Sequence, residues 1–249
     1  MMVNFGDIQN ISTIDYPGEV VSVLFFCGCP FRCPFCHNYN LVNPSDCNEI
    51  SIDRIVNEIK KSILFITGIT VTGGEPTQQI EALIELTKKI KDLDLLVKID
   101  TNGYYSKNLQ QICDLNIVDY FAMDVKNEMR TKSYARTVGA SIISGRKILG
   151  RIKNSIHSLI NSNAIFEART TIIPSINDNE QAIRSICKEI IGANIYVLQQ
   201  YRCVDRVLDP KFSEIPSPPK EQLIHLAHIA KEYIDDVRIR TSDKGEERI

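Results

Sequence analysis

The sequence predicts an α/β domain in which a parallel β-sheet, open or rolled into a barrel, is covered by helices. Three observations carry this. Apolar runs of strand length alternate with amphipathic helical stretches six times along the chain. The runs are nearly continuous in apolar residues, as strands buried on both faces are, rather than alternating as one-sided strands do. The length, 249 residues with 43% hydrophobic and 24% charged content, suits one domain of barrel size covering residues 1–249.

The strands fall at residues 20–26, 69–72, 95–100, 118–124, 164–172 and 194–199, with a late candidate at 237–240. Ser51 is placed to cap a helix carrying Ile55, Val56 and Ile59, and Ile80, Leu83, Ile84 and Ile90 continue the helical spacing. The same spacing recurs through Ile148, Ile152, Ile156 and Leu159, through Ile183, Ile186 and Ile190, and through Leu223, Leu226, Ile229 and Tyr233. A Pro-rich connection at 210–219 precedes the last helix, and there is no internal repeat or low-complexity segment.

A formal net charge of −2 gives no global basic field, so nucleic acid is not the expected partner. The first residues lack a basic and apolar leader pattern, and no uncharged run approaches the roughly 18 residues of a membrane helix, so a cytoplasmic protein without membrane contact is expected. Eight cysteines, four of them bunched, then argue for metal ligation rather than a disulfide framework. Cys47, Cys113, Cys187 and Cys203 are scattered and read as buried or incidental thiols.

The polar motifs are informative for where they fall. Four cysteines follow the first strand, Gly73-Gly74-Glu75-Pro76 the second, and Asp100-Thr101-Asn102-Gly103 the third. Asp124-Val125-Lys126 closes the fourth, Thr170, Thr171 and Pro174 leave the fifth, and Gln199-Gln200-Tyr201-Arg202 leaves the sixth. Taken singly, a Gly-Gly pair is a turn and a strand-end Asp is a cap. Their shared placement at the C-terminal edge of a parallel sheet is where ligand sites are built.

Within CGCPFRCPFCHN, Cys29, Cys33 and Cys36 form CxxxCxxC, while Cys27 lies on the opposite face if the pleat continues. Structural zinc usually takes two CxxC pairs separated by a longer loop, so four thiols within ten residues fit it poorly. Three close thiolates suit an iron–sulfur cluster and leave one iron open to a substrate.

CxxxCxxC with Phe35 before its last cysteine, followed by Gly73-Gly74-Glu75, resembles the radical S-adenosylmethionine superfamily. Within it, residues 12–18, the segment Gly28 to Asn38 and Asp100-Thr101-Asn102-Gly103 are similar to the glycyl-radical-enzyme activating enzymes, including those of pyruvate formate-lyase and anaerobic ribonucleotide reductase. The resemblance implies a partial (β/α)6 TIM-like barrel with one [4Fe–4S] cluster on Cys29, Cys33 and Cys36. It also implies reductive cleavage of S-adenosylmethionine to a 5′-deoxyadenosyl radical that takes hydrogen from a glycine of a partner glycyl radical enzyme. A low-potential donor such as ferredoxin or flavodoxin would supply the electron.

The resemblance also implies roles. Phe35 and the backbone of Cys36 and His37 would meet the adenine, and Gly73 and Gly74 would let the backbone approach the methionine amino group with Glu75 nearby. Asp100 and Asp124 would lie near the methionine and a monovalent cation, and Lys126 would face the carboxylate or ribose. Asp15 is a candidate contact for the incoming glycine loop. Gln200-Tyr201-Arg202 stands where the pyruvate formate-lyase activases carry a histidine, and Arg202 could donate similar hydrogen bonds to the ribose. The exit Leu198-Gln199-Gln200-Tyr201 and the tail Val237-Arg238-Ile239-Arg240 are more similar to the activases of anaerobic ribonucleotide reductase, which turns the expectation toward that enzyme as partner. With only Cys47 between Cys36 and Gly73, no ferredoxin-like insertion fits and one cluster is expected. The competing classes are a small-molecule radical enzyme resembling 7-carboxy-7-deazaguanine synthase and a zinc-bearing interaction module without catalysis.

Overall fold

The alternating pattern folds into a ten-stranded sheet in a computed structural model that describes residues 1–204 and 206–249. Strand β1 (Met2–Ser12) pairs antiparallel with β2 (Val21–Phe26) and carries β3 (Asn48–Ser51) on its other edge. From β2 the sheet runs in parallel through β4 (Gly68–Gly73), β5 (Leu96–Thr101), β6 (Tyr120–Asp124), β7 (Ile165–Ile172), β8 (Ile195–Gln200) and β9 (Val237–Thr241). An antiparallel strand, β10 (Gly245–Arg248), ends it on β9.

The six expected strands and the late seventh are present, so the parallel set has seven members rather than six. The three antiparallel strands are additions, each for a physical reason. β1 is broken by register shifts after Phe5 and Gln9, which blur its alternation. β3 has four residues, none fully buried. β10 reads Gly-Glu-Glu-Arg and is held by Arg238 and Arg240 of β9 on Glu246, at 2.8 and 2.5 Å, instead of by burial.

Strands β2 and β8 lie five places apart in the sheet, which in a flat sheet would separate them by about 24 Å. Val21 and Val23 of β2 nevertheless share one apolar cluster with Tyr120 and Ala122 of β6, Ile195 and Val197 of β8, and Tyr16. The sheet is therefore rolled, with β3 and β10 as unjoined edges. The strand alternation sends Leu24, Val71, Ile99, Phe121, Phe166 and Leu198 outward into the main core beneath the helices.

Ser51 caps α1 (Ile52–Lys61) as expected, its hydroxyl accepting from Arg54 N at 3.3 Å, and Ile55, Val56 and Ile59 face the sheet. Helices α2 (Ile80–Lys91), α5 (Ile142–Ile160), α6 (Glu180–Glu189) and α7 (Lys220–Ala230) match the remaining periodic stretches. Two helices were not legible as such, α3 (Ser106–Asp114) and α4 (Thr131–Thr137), each too short to show its period clearly. Among the described residues no helix is long and apolar enough to cross a membrane.

The cysteine expectation needs one correction. Cys27 and Cys47 form a disulfide, whereas Cys113 and Cys187 are buried free thiols and Cys203 is exposed and free. The pleat turns Cys27 away from the other three cysteines of its motif. The chain from Asn38 to Cys47 returns beneath it, held by Gly28 N on Leu41 O at 2.7 Å and Cys29 N on Val42 O at 3.0 Å. Removing either partner, Cys27→Ser or Cys47→Ser, is expected to lower the unfolding free energy of the metal-free protein by about 2–4 kcal/mol. Urea denaturation without reductant checks this, and the double variant should lose no more than either single one.

Candidate functional site

The C-terminal strand ends converge on a cavity of ≈ 220 Å³. Of the residues singled out in the sequence, Cys29, Cys33, Phe35, Cys36, His37, Gly73, Gly74, Asp100, Asp124 and Lys126 line it. Asn102, Arg169, Thr171 and Tyr201 join them.

The cysteine loop owes its path to backbone pairing on both sides. Gly74 N donates to Phe26 O at 2.8 Å and Glu75 N to Gly28 O at 2.7 Å, which binds the Gly-Gly-Glu turn directly to the start of the loop. A Cβ on Gly73, where φ is +119°, would collide with the Phe26 carbonyl oxygen, and one on Gly74 with that of Gly28. These glycines are thus demanded first by the β2 exit, and the cavity wall they form follows from that. Arg32 N donates to Val138 O at 3.0 Å, fixing the middle of the loop against the end of α4. The Arg32 guanidinium donates to the carbonyls of Cys29 and Phe31 at 2.7 and 2.9 Å.

Cys29, Cys33 and Cys36 face the same cavity without converging on one point. Among the described residues no three His, Cys, Asp or Glu side chains are close enough to hold a single ion. A mononuclear zinc site would need sulfurs about 2.3 Å from a common centre. Burial pushes the Cys29 and Cys33 thiols up to about 12, the Phe31 amide and Lys126 respectively being the chief opposing influences, and burial raises Cys36 also. Asn102 Nδ2 donates to Cys29 Sγ at 3.5 Å.

The opposite wall is a charge network across three adjacent strands. Asp100 of β5 pairs with Lys98 and lies 3.4 Å from Arg169 of β7; Asp124 of β6 takes Arg169 Nε at 3.0 Å and Lys126 Nζ at 2.7 Å. Burial opposes ionisation of both carboxyls. Arg169 and Lys98 outweigh it at Asp100, and Lys126 and Arg169 at Asp124, holding both below the usual carboxylate range. Burial likewise opposes the charge on Lys126, but Asp124 holds its ammonium above the ordinary value. Arg169 belongs to none of the strand-end motifs; its in-register place beside Asp124 makes it the hub.

Two expected site residues stand elsewhere. Glu75 is 0% exposed and lies behind the cavity wall. Its carboxylate accepts from Thr77, from Thr101 Oγ1 at 2.8 Å and from Asn102 N at 2.6 Å, tying the β4 exit to the β5 exit. It therefore positions Asn102. Arg202 lines a second cavity, of ≈ 640 Å³, together with His37, Thr171, Gln199, Gln200 and residues 13–18. That cavity opens between the segment holding Asp15 and the strands β8 to β10, so His37 and Thr171 form the wall common to both spaces. Burial holds the His37 imidazole below its ordinary value, with the Arg202 backbone opposing and the Arg202 charge reinforcing the shift.

Comparison with known proteins follows the same lines. The radical SAM superfamily model matches residues 23–185. A Methanocaldococcus jannaschii protein provisionally named a glycyl-radical enzyme activating enzyme is 36% identical over 234 residues, 94% of each chain. The pyruvate formate-lyase-activating enzyme of Clostridium pasteurianum is 24% identical over 250 residues, covering 94% of this chain and 100% of its own. A radical SAM methyltransferase from Sphaerobacter thermophilus superposes with a TM-score of 0.70 at 14% identity, over 92% of this chain and 68% of that one, a likeness of fold.

The charge network sets an acid limit. Both aspartates titrate lower in the fold than their ordinary 3.8, so their contribution is complete above that value and is lost as pH falls through the folded values. Unfolding free energy measured from pH 6 down to about 2 should fall steeply below about pH 4. Asp124→Asn should shallow that slope by about one proton.

Proposed function

The chain belongs to the radical SAM superfamily, and within it we propose that it is a glycyl-radical-enzyme activating enzyme. It is an enzyme of radical chemistry, and the family implies a [4Fe–4S] cluster and S-adenosylmethionine. The observation that carries the finer reading is the pair of cavities divided by His37 and Thr171. One is small and lined by three thiols and fixed charges; the other is larger and opens along the unclosed seam of the barrel, where an extended peptide has room to enter.

The donor set fits the implied groups. Soft thiolates suit iron–sulfur clusters, and Cys29, Cys33 and Cys36 are the free cysteines on the cavity. A wall carrying both carboxylates and cations suits a zwitterion such as the methionine end of the cofactor, and Phe35 and Tyr201 offer apolar faces to a nucleoside. When bound, these groups supply a 5′-deoxyadenosyl radical.

The chain's own residues do the rest. Gly73 and Gly74 present bare backbone to the cavity; the Gly73 carbonyl already accepts from Asn38 Nδ2 at 3.3 Å. Asp124 and Arg169 hold the Lys126 ammonium and its surroundings in place, so little reorganisation accompanies binding of a charged ligand. The two carboxylates expected near a monovalent cation already share Arg169, so a cation there would have to join or displace that guanidinium. The buried walls limit access of water and other hydrogen donors to the mouth. The exit Leu198-Gln199-Gln200-Tyr201 and the tail Val237-Arg238-Ile239-Arg240, with Gln200-Tyr201-Arg202 where the pyruvate formate-lyase activases carry a histidine, favour an anaerobic ribonucleotide reductase as the protein activated.

Cys33→Ala should abolish iron loading and cleavage of S-adenosylmethionine in anaerobically reconstituted protein, whereas Cys27→Ala should retain roughly four irons per chain. Equal loss in both would defeat the three-thiolate assignment. Electron paramagnetic resonance of the reduced enzyme with S-adenosylmethionine should show a glycyl α-carbon doublet only when the partner is present. Deuterium passing into 5′-deoxyadenosine from a labelled metabolite, with no protein radical under any pairing, would overturn the activase reading.

A further inference from the structure

We propose that the outer surface of α4 and the start of α5 is the docking site for an acidic, low-potential one-electron carrier protein. The inference rests on the cluster assignment above, and its starting point is an obstruction. If cofactor and partner glycine fill the two cavities, an electron has to arrive at Cys29, Cys33 and Cys36 by a route other than the mouth.

Outside both cavities, neither of which α4 lines, the cysteine loop rests on the end of that helix. The Arg32 amide, one residue before Cys33, donates to Val138 O at 3.0 Å at the C-terminal end of that helix. Gly139 lies so close that a Cβ there would collide with the Arg32 carbonyl. Val138 and Tyr134 are buried in the same core as Phe31 and Cys33. A short path of peptide and hydrogen bond therefore joins the α4 surface to a ligand residue.

That surface is strongly basic in a chain whose net charge is −2. Lys132, Arg136, Arg146 and Lys147 are exposed, and among the described residues none of them makes an ion pair. The nearby acid, Glu128, is occupied by Arg130 at 3.5 Å and by the Ser133 hydroxyl. At the head of α5, Ile142 and Ile143 are 57% and 95% exposed. Small apolar centres with a charged rim suit weak, fast encounters, and unpaired lysines and arginines steer an acidic partner more effectively than neutralised ones. The crossing of the two helices is close because Gly145 admits Thr131 and Ala135, which keeps the basic residues of both elements on neighbouring turns. In the transfer, one electron leaves the carrier's redox centre and arrives at the iron bound by the three cysteines, with no bond made or broken at the surface.

The test uses the reconstituted enzyme and an acidic flavodoxin. Titration calorimetry at low salt gives the affinity, and stopped-flow absorbance gives the rate of iron–sulfur reduction by the flavodoxin hydroquinone and, separately, by dithionite. Lys132→Glu, Arg136→Glu and Arg146→Glu combined should weaken flavodoxin binding by about tenfold or more and slow reduction by flavodoxin in proportion, leaving reduction by dithionite unchanged. Lys60→Glu with Lys61→Glu, on the remote helix α1, should change neither. Unchanged flavodoxin affinity in the triple variant, or equal loss with dithionite, would overturn the proposal. Absence of any iron–sulfur centre in the unaltered protein would count instead against the cluster assignment, while the binding titration would still decide the docking surface.

Discussion

The guanidinium of Arg169 is the constraint on which the mouth of the barrel depends. It sits on β7 between Asp124 of β6 and Asp100 of β5, and the two carboxylates in turn hold Lys126 and Lys98. Below them Glu167 accepts from the Tyr120 hydroxyl at 2.5 Å and lies 3.9 Å from Arg169. Three cations and three anions are thus sunk together, and none can leave without stranding another in a low-dielectric setting, which is far more costly than the loss of a surface pair. The strand ends that carry Asp100, Asp124 and Arg169 are thereby held in one arrangement, and the cavity shape is a by-product of that mutual restraint.

This grading continues down the inner face. Near the N-terminal ends of the strands the rolled sheet is filled by Val21, Val23, Ala122 and Val197, with Tyr16 packed on Tyr120 at a ring separation of 5.3 Å. Toward the C-terminal ends the same face carries Lys98, Asp100, Asp124 and Arg169. An apolar plug beneath a neutralised charge layer gives a floor that is dry and rigid, the setting in which fixed dipoles act most strongly.

The parallel strands were legible because burial on both faces leaves uninterrupted apolar runs, and the cavity was legible because its residues cluster at strand ends. β1, β3 and β10 were not, since pairing and ion pairs hold them and neither leaves a periodic apolar signature; Glu246 on β10 gains its place from Arg238 and Arg240. Spacing brought out Cys29, Cys33 and Cys36 but was silent on Cys27 with Cys47, whose 20-residue separation becomes a contact only through the turn after Asn38. Glu75 shows a role that spacing alone does not reveal. A carboxylate beside two glycines reads as a polar partner near the cofactor, and full burial with four hydrogen-bond donors makes it a brace between two strand exits.

The disulfide between Cys27 and Cys47 makes the backbone between them a closed covalent ring, and Cys29, Cys33 and Cys36 all lie on that ring. A break at any one peptide bond between residues 28 and 46, whether by a protease or by oxidative damage near bound iron, would leave the two halves of the polypeptide as a single molecule. Such a lesion would pass unseen on a gel without reducing agent and split the chain on one with it. Damage at the most reactive part of the protein is in this way separated from loss of a fragment, and the two pieces part only once the disulfide is reduced.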